Sequence, residues 1–492
     1  MPVTTCHPTY LDNVRDWEDC RNFFEGERRV KELGPRYLPK PEQSTAKEYH
    51  SYVMRAFFFP AMERTVAGLS GAIDRKAPTF KLPDRLSYLE WDTDGDGTDL
   101  RNFSKNALNQ CFIAGRFGVL IDRPVYGGDV YLSLYIAEDI INWQEDKEKK
   151  LQMVVLKETY YERLSTDEFV QQRKTRYRVL RLKDGVYMQE LYTPNTAGTS
   201  GTRLIYEKTE EIIPSRAGIH MDFIPFIFCN VRTITPTIGK PPLLDLVRKN
   251  AEHYRVSADY ANALYFTGNP ILWVKGVKRP TPKSPVSGDP NDPQFKLTLG
   301  SQRAVYLPNQ ESEIGLTECS GHGVSPNRDK AEDIKKEMAV LGARLLESQR
   351  TGVEAAETVY LRQSGEASTL STIVSTVSAG IRRALEIADV CMGGTGDAIE
   401  FELNRDFIDS IIDPQLVSTL ADLVSREFIS WETFIYNLAC GELLPPGVTA
   451  EEERQRIETQ PPIGNPMADA QALGLLSNIQ DQELPEGDNE AN

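Results

Sequence analysis

The sequence has few histidines and cysteines for its length: five and seven in 492 residues. The cysteines are odd in number, widely scattered and never arranged as C-x-x-C. Disulfide-stapled domains and Cys/His zinc sites both require regular spacing of these residues. We therefore expect reduced thiols in a cytosolic assembly environment, and no zinc site.

Long apolar runs are also missing. The most apolar short stretch, residues 56–62, is far shorter than the roughly 20 residues that a membrane-spanning helix needs. The amino terminus lacks a basic region followed by an apolar core, which is the pattern of a signal peptide. The sequence predicts a soluble protein without a membrane partner.

Positive charge is scarce relative to negative charge. The chain has 56 lysines and arginines against 72 aspartates and glutamates, a formal net charge of -16. A protein that grips nucleic acid over its surface needs many Lys and Arg contacts to phosphate. If DNA is involved, we expect this chain to let it pass rather than to hold it.

The motifs of common enzyme classes are absent. Neither G-x-x-x-x-G-K nor G-x-G-x-x-G follows a predicted strand, and no nucleophile, base and acid stand at a recognisable spacing. We expect no enzymatic activity, no catalytic residue and no cofactor.

One acidic segment resembles a metal-binding motif. A calcium-binding loop that began at Asp92 would match at Asp92, Asp94 and Asp96, but its twelfth position, normally a bidentate Glu, is Phe103. These three aspartates are the weak metal candidates, and a metal-dependent hydrolase that used residues 92–99 is one alternative function.

The other interpretation of this segment is an acidic turn. Thr98 or Asp99 would then cap a helix over residues 100–114, where negative side chains also suit the helix dipole. The sequence favours this turn, because a loop without the twelfth ligand is a poor calcium site.

The first half of the chain combines helices with strands. Helical spacing covers residues 10–33 and 49–73, and an alternating pattern over 115–231 predicts a mixed, mainly antiparallel sheet. Asp184-Gly185 between two alternating runs predicts a hairpin. The fold class is therefore α+β.

The second half is dominated by long helices. Residues 241–266, 325–347 and 367–392 have helical spacing, with a β-rich insertion after the first helix and a Gly-containing break at 349–366 after the second. The insertion opens with a run, 271–274, typical of a buried strand. A late strand at 399–403 is expected to return to the earlier sheet, and shorter helices follow at 414–440 and 450–458.

The insertion is rich in basic residues and proline. A stiff basic module between two helices is suited to docking an acidic partner, and the alternative is a solvated loop that uses charge for solubility. The candidate docking residues are Lys275, Lys278, Arg279 and Lys283.

This order of elements resembles the portal, or head-to-tail connector, proteins of tailed bacteriophages. The run Gly268–Gly276 is similar to the strand that opens portal clips, and residues 427–433 with the glutamate-rich run 451–458 are similar to a portal crown. Phrases at 37–39 and 55–57 resemble a podophage-type subgroup.

The resemblance implies a division into a β-rich wing, two stem helices that bracket a small α/β clip, a long wing helix and a helical crown. The implied segments are wing 1–240, stem helix 241–266, clip 267–324, stem helix 325–348, tunnel loop 349–366, wing helix and returning strand 367–408, crown 409–460, and an acidic, largely disordered tail 461–492.

The resemblance also implies a function. Such proteins form a ring of twelve at one capsid vertex, through which a terminase drives double-stranded DNA and through which DNA leaves. The implied partners are further copies of the chain, the terminase large subunit, a head-to-tail adaptor, and the major capsid and scaffolding proteins. The implied location is the virion, after assembly in the host cytoplasm.

Basic residues near the stem and loop could damp the repulsion between an acidic ring and DNA. The DNA-channel candidates are Lys335, Lys336, Arg344 and Arg350. The alternative for each is an ordinary surface ion pair. A different virion head-tail protein, such as an adaptor, is a further alternative for the chain, although adaptors are usually smaller and lack three long helices around a β insertion.

Overall fold

The computed structural model describes most of the chain. The described residues are 2–124, 128–164, 167–195, 205–216, 219–268, 271–275, 313–317, 324–343, 356–405, 414–426, 428–440 and 450–459. The chain separates into two compact units, Met1–Phe407 and Ile408–Asn492. No helix in the described part is both long enough and apolar enough to cross a membrane.

The structure combines helices and strands, so the predicted α+β class is confirmed. The helices are α1 (Pro8–Glu25), α2 (Glu27–Leu33), α3 (Ala46–Arg55), α4 (Ala61–Asp74), α5 (Leu100–Ala114), α6 (Leu244–Gly268), α7 (Val324–Met338), α8 (Ala356–Cys391), α9 (Pro414–Ser425), α10 (Trp431–Cys440) and α11 (Ala450–Thr459). The strands are β1 (Thr79–Lys81), β2 (Arg116–Asp122), β3 (Tyr131–Ile136), β4 (Ile140–Glu145), β5 (Leu151–Leu164), β6 (Asp167–Lys183), β7 (Val186–Asn195), β8 (Ile205–Ile212), β9 (Ser215–Arg216), β10 (Ile219–His220), β11 (Phe226–Asn230), β12 (Ile271–Lys275), β13 (Glu313–Thr317) and β14 (Glu400–Glu402).

The amino-terminal helices are more broken than predicted. The segment expected as one helix at 10–33 is divided at Gly26, which has a positive φ of 92°. The segment expected at 49–73 is divided before Pro60, since proline cannot donate the backbone hydrogen bond that a continuous helix needs. Thr45 and Glu48 form a reciprocal capping box at the start of α3.

The predicted single sheet is in fact two larger sheets. One has three strands in the order β11-β2-β3, the other has five in the order β4-β5-β6-β7-β8, and every described strand pair is antiparallel. The hairpin between β6 and β7 is confirmed: Asp184 and Gly185 have φ values of 51° and 76°, as a type I′ turn requires.

Two apolar cores hold the first unit together. The larger one packs α3, α4, α5, α6 and α8 against one face of the three-stranded sheet, and the other lies between the two sheets. Helix α1 joins the cores, because Trp17 is buried in the second and Phe23 in the first.

Helix α8 supplies the predicted apolar face. The buried residues of that face are Leu370, Ile373, Val377, Ile381 and Leu385. The helix begins at Ala356, however, so the break predicted at 349–366 is wrong over residues 356–366, which are helical. Gly352 and the rest of 349–355 lie outside the described residues.

The carboxyl end of α8 is fixed by a buried carboxylate. Asp389 accepts hydrogen bonds from Arg85 Nε at 2.5 Å and from the Gly396 amide at 3.0 Å. A Cβ at Gly394 would lie 1.9 Å from Asp389 Oδ2, so only glycine fits there. The strand that follows, β14, pairs with β1 rather than with the earlier sheet, which corrects the predicted return.

The second unit contains α9, α10 and α11, at the positions predicted from the apolar periodicity. Ser430 accepts the Thr433 amide at the start of α10, as an N-cap does. The tail at 461–492 lies outside the described residues.

Two arginines, Arg178 largely buried and Arg116 fully buried, have opposite surroundings. Arg178 lies between the sheets and contacts Asp122 at 2.9 Å and Glu158 at 2.6 Å. Although burial opposes ionisation of the Glu158 carboxyl, Arg178 holds the pKa of that group below its usual value. Arg116 is fully buried, and its guanidinium has no hydrogen-bond partner among the described residues. It lies 4.2 Å from the Trp143 ring centroid and 4.8 Å from that of Phe228.

Burial lowers the pKa of Arg116 to about 9, so the side chain is charged at pH 7 both folded and unfolded. We expect Arg116→Met to raise the free energy of unfolding by about 1–3 kcal/mol at pH 7, because the aromatic contacts offset only part of the desolvation cost. The matched variant Arg178→Met leaves the Asp122 carboxylate without a cation and Glu158 with Arg176 alone. It should lower the free energy of unfolding by about 3–5 kcal/mol.

Denaturant titration at several pH values measures both effects. The increase in the free energy of unfolding caused by Arg116→Met should be constant below pH 9 and should shrink above it. Above pH 9 the Arg116 guanidinium of the parent loses its proton in the native state before it does so in the unfolded state, so the parent becomes more stable. Destabilisation by Arg116→Met as large as that by Arg178→Met would contradict this account.

Candidate functional site

The helix pair α6 and α7 forms the centre of the candidate site. Ile334 and Met338 of α7 are buried, whereas Leu341 is exposed in a π-helical turn, Ala339–Ala343. Lys249 on α6 contacts Glu337 on α7 at 2.7 Å. The apolar contact and this ion pair hold the two helices side by side.

Helix α6 is anchored to the amino-terminal helices along its length. Tyr52 donates to Asp259 at 2.5 Å, Arg55 donates to Asn262 at 3.1 Å, and Arg255 donates to the Tyr37 carbonyl at 2.9 Å. These residues are about 200 positions apart in sequence, so none of the bonds could be read from local patterns.

The start of α6 differs from the prediction. The helix was expected from Pro241 but begins at Leu244, whose amide donates to the Pro241 carbonyl at 3.2 Å. The chain around Pro241 is instead packed against Gly115, where a Cβ would lie 3.1 Å from Pro241 Cα.

A neutral histidine lies near the crossing of α6 and α7. Burial and the nearby Lys335 lower the pKa of His253, and its Nδ1 lies 3.4 Å from the Ser257 hydroxyl. The site therefore has no buried positive charge from His253 at neutral pH.

The last turn of α6 projects apolar side chains into solvent. Leu264, Tyr265 and Phe266 are between 43% and 48% exposed. Arg55 lies 4.0 Å from the Tyr265 ring centroid and covers only that ring. Three consecutive large apolar residues cannot all face one neighbour, so a single chain leaves part of this surface in water.

The hairpin β12-β13, which follows α6 in the sequence, also has exposed apolar side chains. Strand β12 is confirmed, but its prediction as a buried strand is wrong, because Trp273 is 40% exposed and Leu316 on β13 is also exposed. A Cβ at Gly315 would lie 2.6 Å from the Trp273 ring, so glycine lets the indole lie flat across the hairpin. The rest of the predicted insertion lies outside the described residues.

Of the four DNA-channel candidates, the described residues include Lys335 and Lys336. Lys335 Nζ lies 5.3 Å from the Phe59 ring centroid, and Lys336 contacts Asp333 at 3.2 Å. Lys336 thus forms an ordinary surface ion pair, which was the alternative to a role in a DNA channel. Arg344 and Arg350 lie outside the described residues.

Of the clip docking candidates, Lys275 contacts Glu313 across the hairpin at 3.4 Å. Lys278, Arg279 and Lys283 lie outside the described residues. The predicted basic cluster therefore stays a prediction.

The acidic segment has the geometry of a turn. Asp92 Oδ1 accepts the amides of Gly95 and Gly97 at 2.8 and 2.9 Å, and Asp94 Oδ1 accepts those of Asp96 and Thr98 at 3.0 and 3.1 Å. Partial burial opposes ionisation, but these hydrogen bonds lower the pKa of Asp94.

The helix that follows the turn is capped by Asp99, whose Oδ1 accepts the Asn102 amide at 2.6 Å. This is one of the two predicted caps. Within the described part of the chain, no three His, Cys, Asp or Glu side chains are placed to hold one metal ion.

Sequence analysis missed a cleft between the two sheets. Its volume is about 450 Å³, and Asp122, Arg176, Arg178 and Tyr187 are among its lining residues. The charged side chains that line this cleft lie on strands that are distant in sequence. They come together only because the strands pair into sheets and the two sheets pack against each other.

Comparison with known proteins gives a partial match. A family model described as a domain of unknown function, DUF4055, matches residues 242–390, a minority of the chain. No curated protein matches the chain significantly.

Several solved structures are similar at low identity. A chain in the virion of a native gene transfer agent (GTA) particle is 14% identical over 85% of this chain and 99% of that chain, with a TM-score of 0.35. Chains in the neck of an empty GTA particle with C6 symmetry and of a native GTA particle with C12 symmetry are 13% and 14% identical. They cover 83% and 85% of this chain and 96% and 99% of their own, with TM-scores of 0.37 and 0.35.

The turn geometry predicts the outcome of a metal titration. Because Asp92 and Asp94 already accept backbone amides, we expect isothermal titration with Ca²⁺, Mg²⁺ or Mn²⁺ to give no saturable heat in the millimolar range. The matched variant Asp94→Asn should give the same trace. Saturable binding by the parent that the variant loses would contradict the turn and revive the hydrolase alternative.

Proposed function

We propose that this chain is the portal subunit of a tailed-phage-type capsid, without catalysis of its own. Copies would close a ring, twelve by the resemblance, around a channel for packaging and ejection of double-stranded DNA. Terminase, adaptor, and capsid and scaffolding proteins would dock on this ring at the virion vertex.

The observation that carries the proposal is the uncovered apolar surface at the end of α6 and on the adjoining hairpin. Leu264, Tyr265, Phe266, Trp273 and Leu316 are exposed on neighbouring stretches of one helix and one hairpin. Exposed apolar residues scattered singly are normal, but three consecutive ones at a helix end, Leu264–Phe266, are typical of an interaction surface. Identical neighbours in a ring would cover it on every copy at once.

The charge of the helix pair supports passage of DNA rather than tight binding. Segment 324–343 contains four basic and four acidic residues. With no net charge on this segment and a chain that is acidic overall, tight phosphate binding is disfavoured. Lys335 and Lys336 would then soften repulsion locally within the channel.

The implied domains keep their order in this proposal, with adjusted limits. The stem helices would be α6 and α7, the hairpin β12-β13 would belong to the clip, and α8 would be the wing helix. The helices α9, α10 and α11 would form the crown. The tunnel loop would be shorter than predicted, because α8 begins at Ala356.

Ring formation tests the proposal. Purified protein viewed by negative stain and weighed by mass photometry over a range of concentrations should show closed rings with a central opening. The double variant Tyr265→Ser/Phe266→Ser removes apolar area from the proposed contact, so we expect it to need at least tenfold more protein to assemble, equivalent to about 1.4 kcal/mol per contact.

Leu11→Ser is the matched control, since Leu11 is exposed on α1, away from this surface in sequence. It should assemble like the parent. A parent protein that stays monomeric at every concentration would contradict the proposal. If the double variant forms rings as readily as the parent, the end of α6 is not part of the contact between copies.

A further inference from the structure

Strands β5 and β6 form an arm that extends beyond the rest of their sheet. Pairing of β4 with β5 stops at Leu156, and pairing of β7 with β6 stops at Tyr177. Residues 158–164 and 167–176 therefore pair only with each other. A two-stranded ribbon is at best marginally stable in water, so an arm of this kind needs a surface to rest on.

One face of the arm is aromatic and basic. Tyr161 pairs with Arg173 across the ribbon, and the two-residue alternation places Arg163 on the same face. Phe169 lies at the tip of the arm, beyond the register shift that follows Arg163. Tyr161 is 67% and Phe169 is 88% exposed. Neither arginine has a carboxylate within ion-pairing distance among the described residues. The opposite face is neutral by comparison, because Lys174 is paired with Glu162.

A surface of opposite charge lies on the acidic turn. Trp91 is 72% exposed and immediately precedes the aspartates of that turn. The Asp96 side chain is exposed and accepts none of the hydrogen bonds described within the turn. No Lys or Arg side chain in the described part of the chain forms an ion pair with Asp92, Asp94 or Asp96. This aromatic and acidic surface, Trp91 with residues 92–99, is called the Trp91 patch.

The patch lies beside the base of the arm in the same chain. Gly95 packs against Tyr131, whose hydroxyl donates to Asp122 at 3.3 Å, and Asp122 contacts Arg178 at 2.9 Å. Phe169 is nine residues further along β6 from Arg178, about 30 Å at roughly 3.3 Å per residue. Phe169 at the arm tip is therefore far from the arm base, beside which its own patch lies.

We propose that the arm of one copy docks on the Trp91 patch of the next copy. This inference rests on the proposed ring and names one of its contacts. Phe169 and Tyr161 would cover Trp91, while Arg163 and Arg173 would neutralise the aspartates of the turn.

The contact joins two different surfaces of the same chain, so it is heterologous. Each copy donates an arm on one side and offers a patch on the other, and such contacts close into a ring when the rotation between copies permits. In this contact the arm tip of one copy lies on the patch of the next copy, and that patch lies beside the next copy's own arm base. The spacing between neighbouring copies at this contact is therefore about the length of the arm.

Cysteine pairing tests the contact directly. In assembled protein under mild oxidation, Phe169→Cys together with Trp91→Cys should give a ladder of covalent multimers on a non-reducing gel. An equimolar mixture of the two single variants should give covalent dimers as the largest new species, because each copy then has only one introduced cysteine at the contact. The parent without added cysteine, and Phe169→Cys combined with Leu11→Cys, are the controls and should give no ladder.

Charge reversal adds a second readout. Arg173→Glu should slow formation of the ladder about tenfold in the double-cysteine chain, and Asp96→Arg in the same chain should restore most of it. Both effects should shrink at 0.5 M salt, where charges are screened over a few ångströms.

The outcomes separate this contact from the ring itself. Rings seen by negative stain that give no ladder would overturn the docking and leave the proposed function standing. Protein that forms no rings would overturn both. A third outcome is rings that give no ladder but bind a short DNA duplex. If the double variant Arg163→Glu/Arg173→Glu loses that binding, the arm binds nucleic acid instead of a neighbouring copy.

Discussion

The end of α6 imposes the main constraint on this chain: three consecutive apolar side chains, Leu264, Tyr265 and Phe266, emerge from the fold with too little protein beside them to remove them from water. Complete burial of a large apolar side chain is worth about 1.5–3 kcal/mol, and each of these half-exposed residues forgoes roughly half of that. Association between copies would recover that free energy without any change in the fold. The proposed ring would thus be a consequence of where the larger core stops.

The rest of the first unit holds these exposed elements in place. Tyr52 and Arg55 fix the side of α6 that precedes the apolar end, and the network of Asp122, Arg178 and Glu158 fixes the strands from which the arm extends. A buried ion pair of this kind adds little net stability, but loss of one member is costly, so the pair specifies one arrangement of the two sheets. Rigid supports of this kind reduce the entropy lost on assembly.

Features set by neighbouring residues were predictable from the sequence. The cap at Asp99, the Asp184-Gly185 hairpin and the buried face of α8 all depend on contacts within a few positions. Pairing between distant segments was not predictable, as the β1-β14 ladder shows. The exposure of a strand was also not predictable, because the apolar sequence of residues 271–274 is the same whether or not another element covers the strand. The arm was not predicted for a related reason. An alternating pattern predicts that a segment is a strand, but it does not show whether the neighbouring strands are shorter and leave part of that strand projecting.

The most direct measurement of the central claim is hydroxyl-radical footprinting of side chains in dilute monomer and in purified rings. The account predicts that oxidation of Tyr265, Phe266 and Trp273 falls at least fivefold on assembly, while oxidation of exposed Leu11 stays the same. Equal oxidation of the three aromatic residues in both states would mean that copies of the chain do not cover this surface, and would contradict the account.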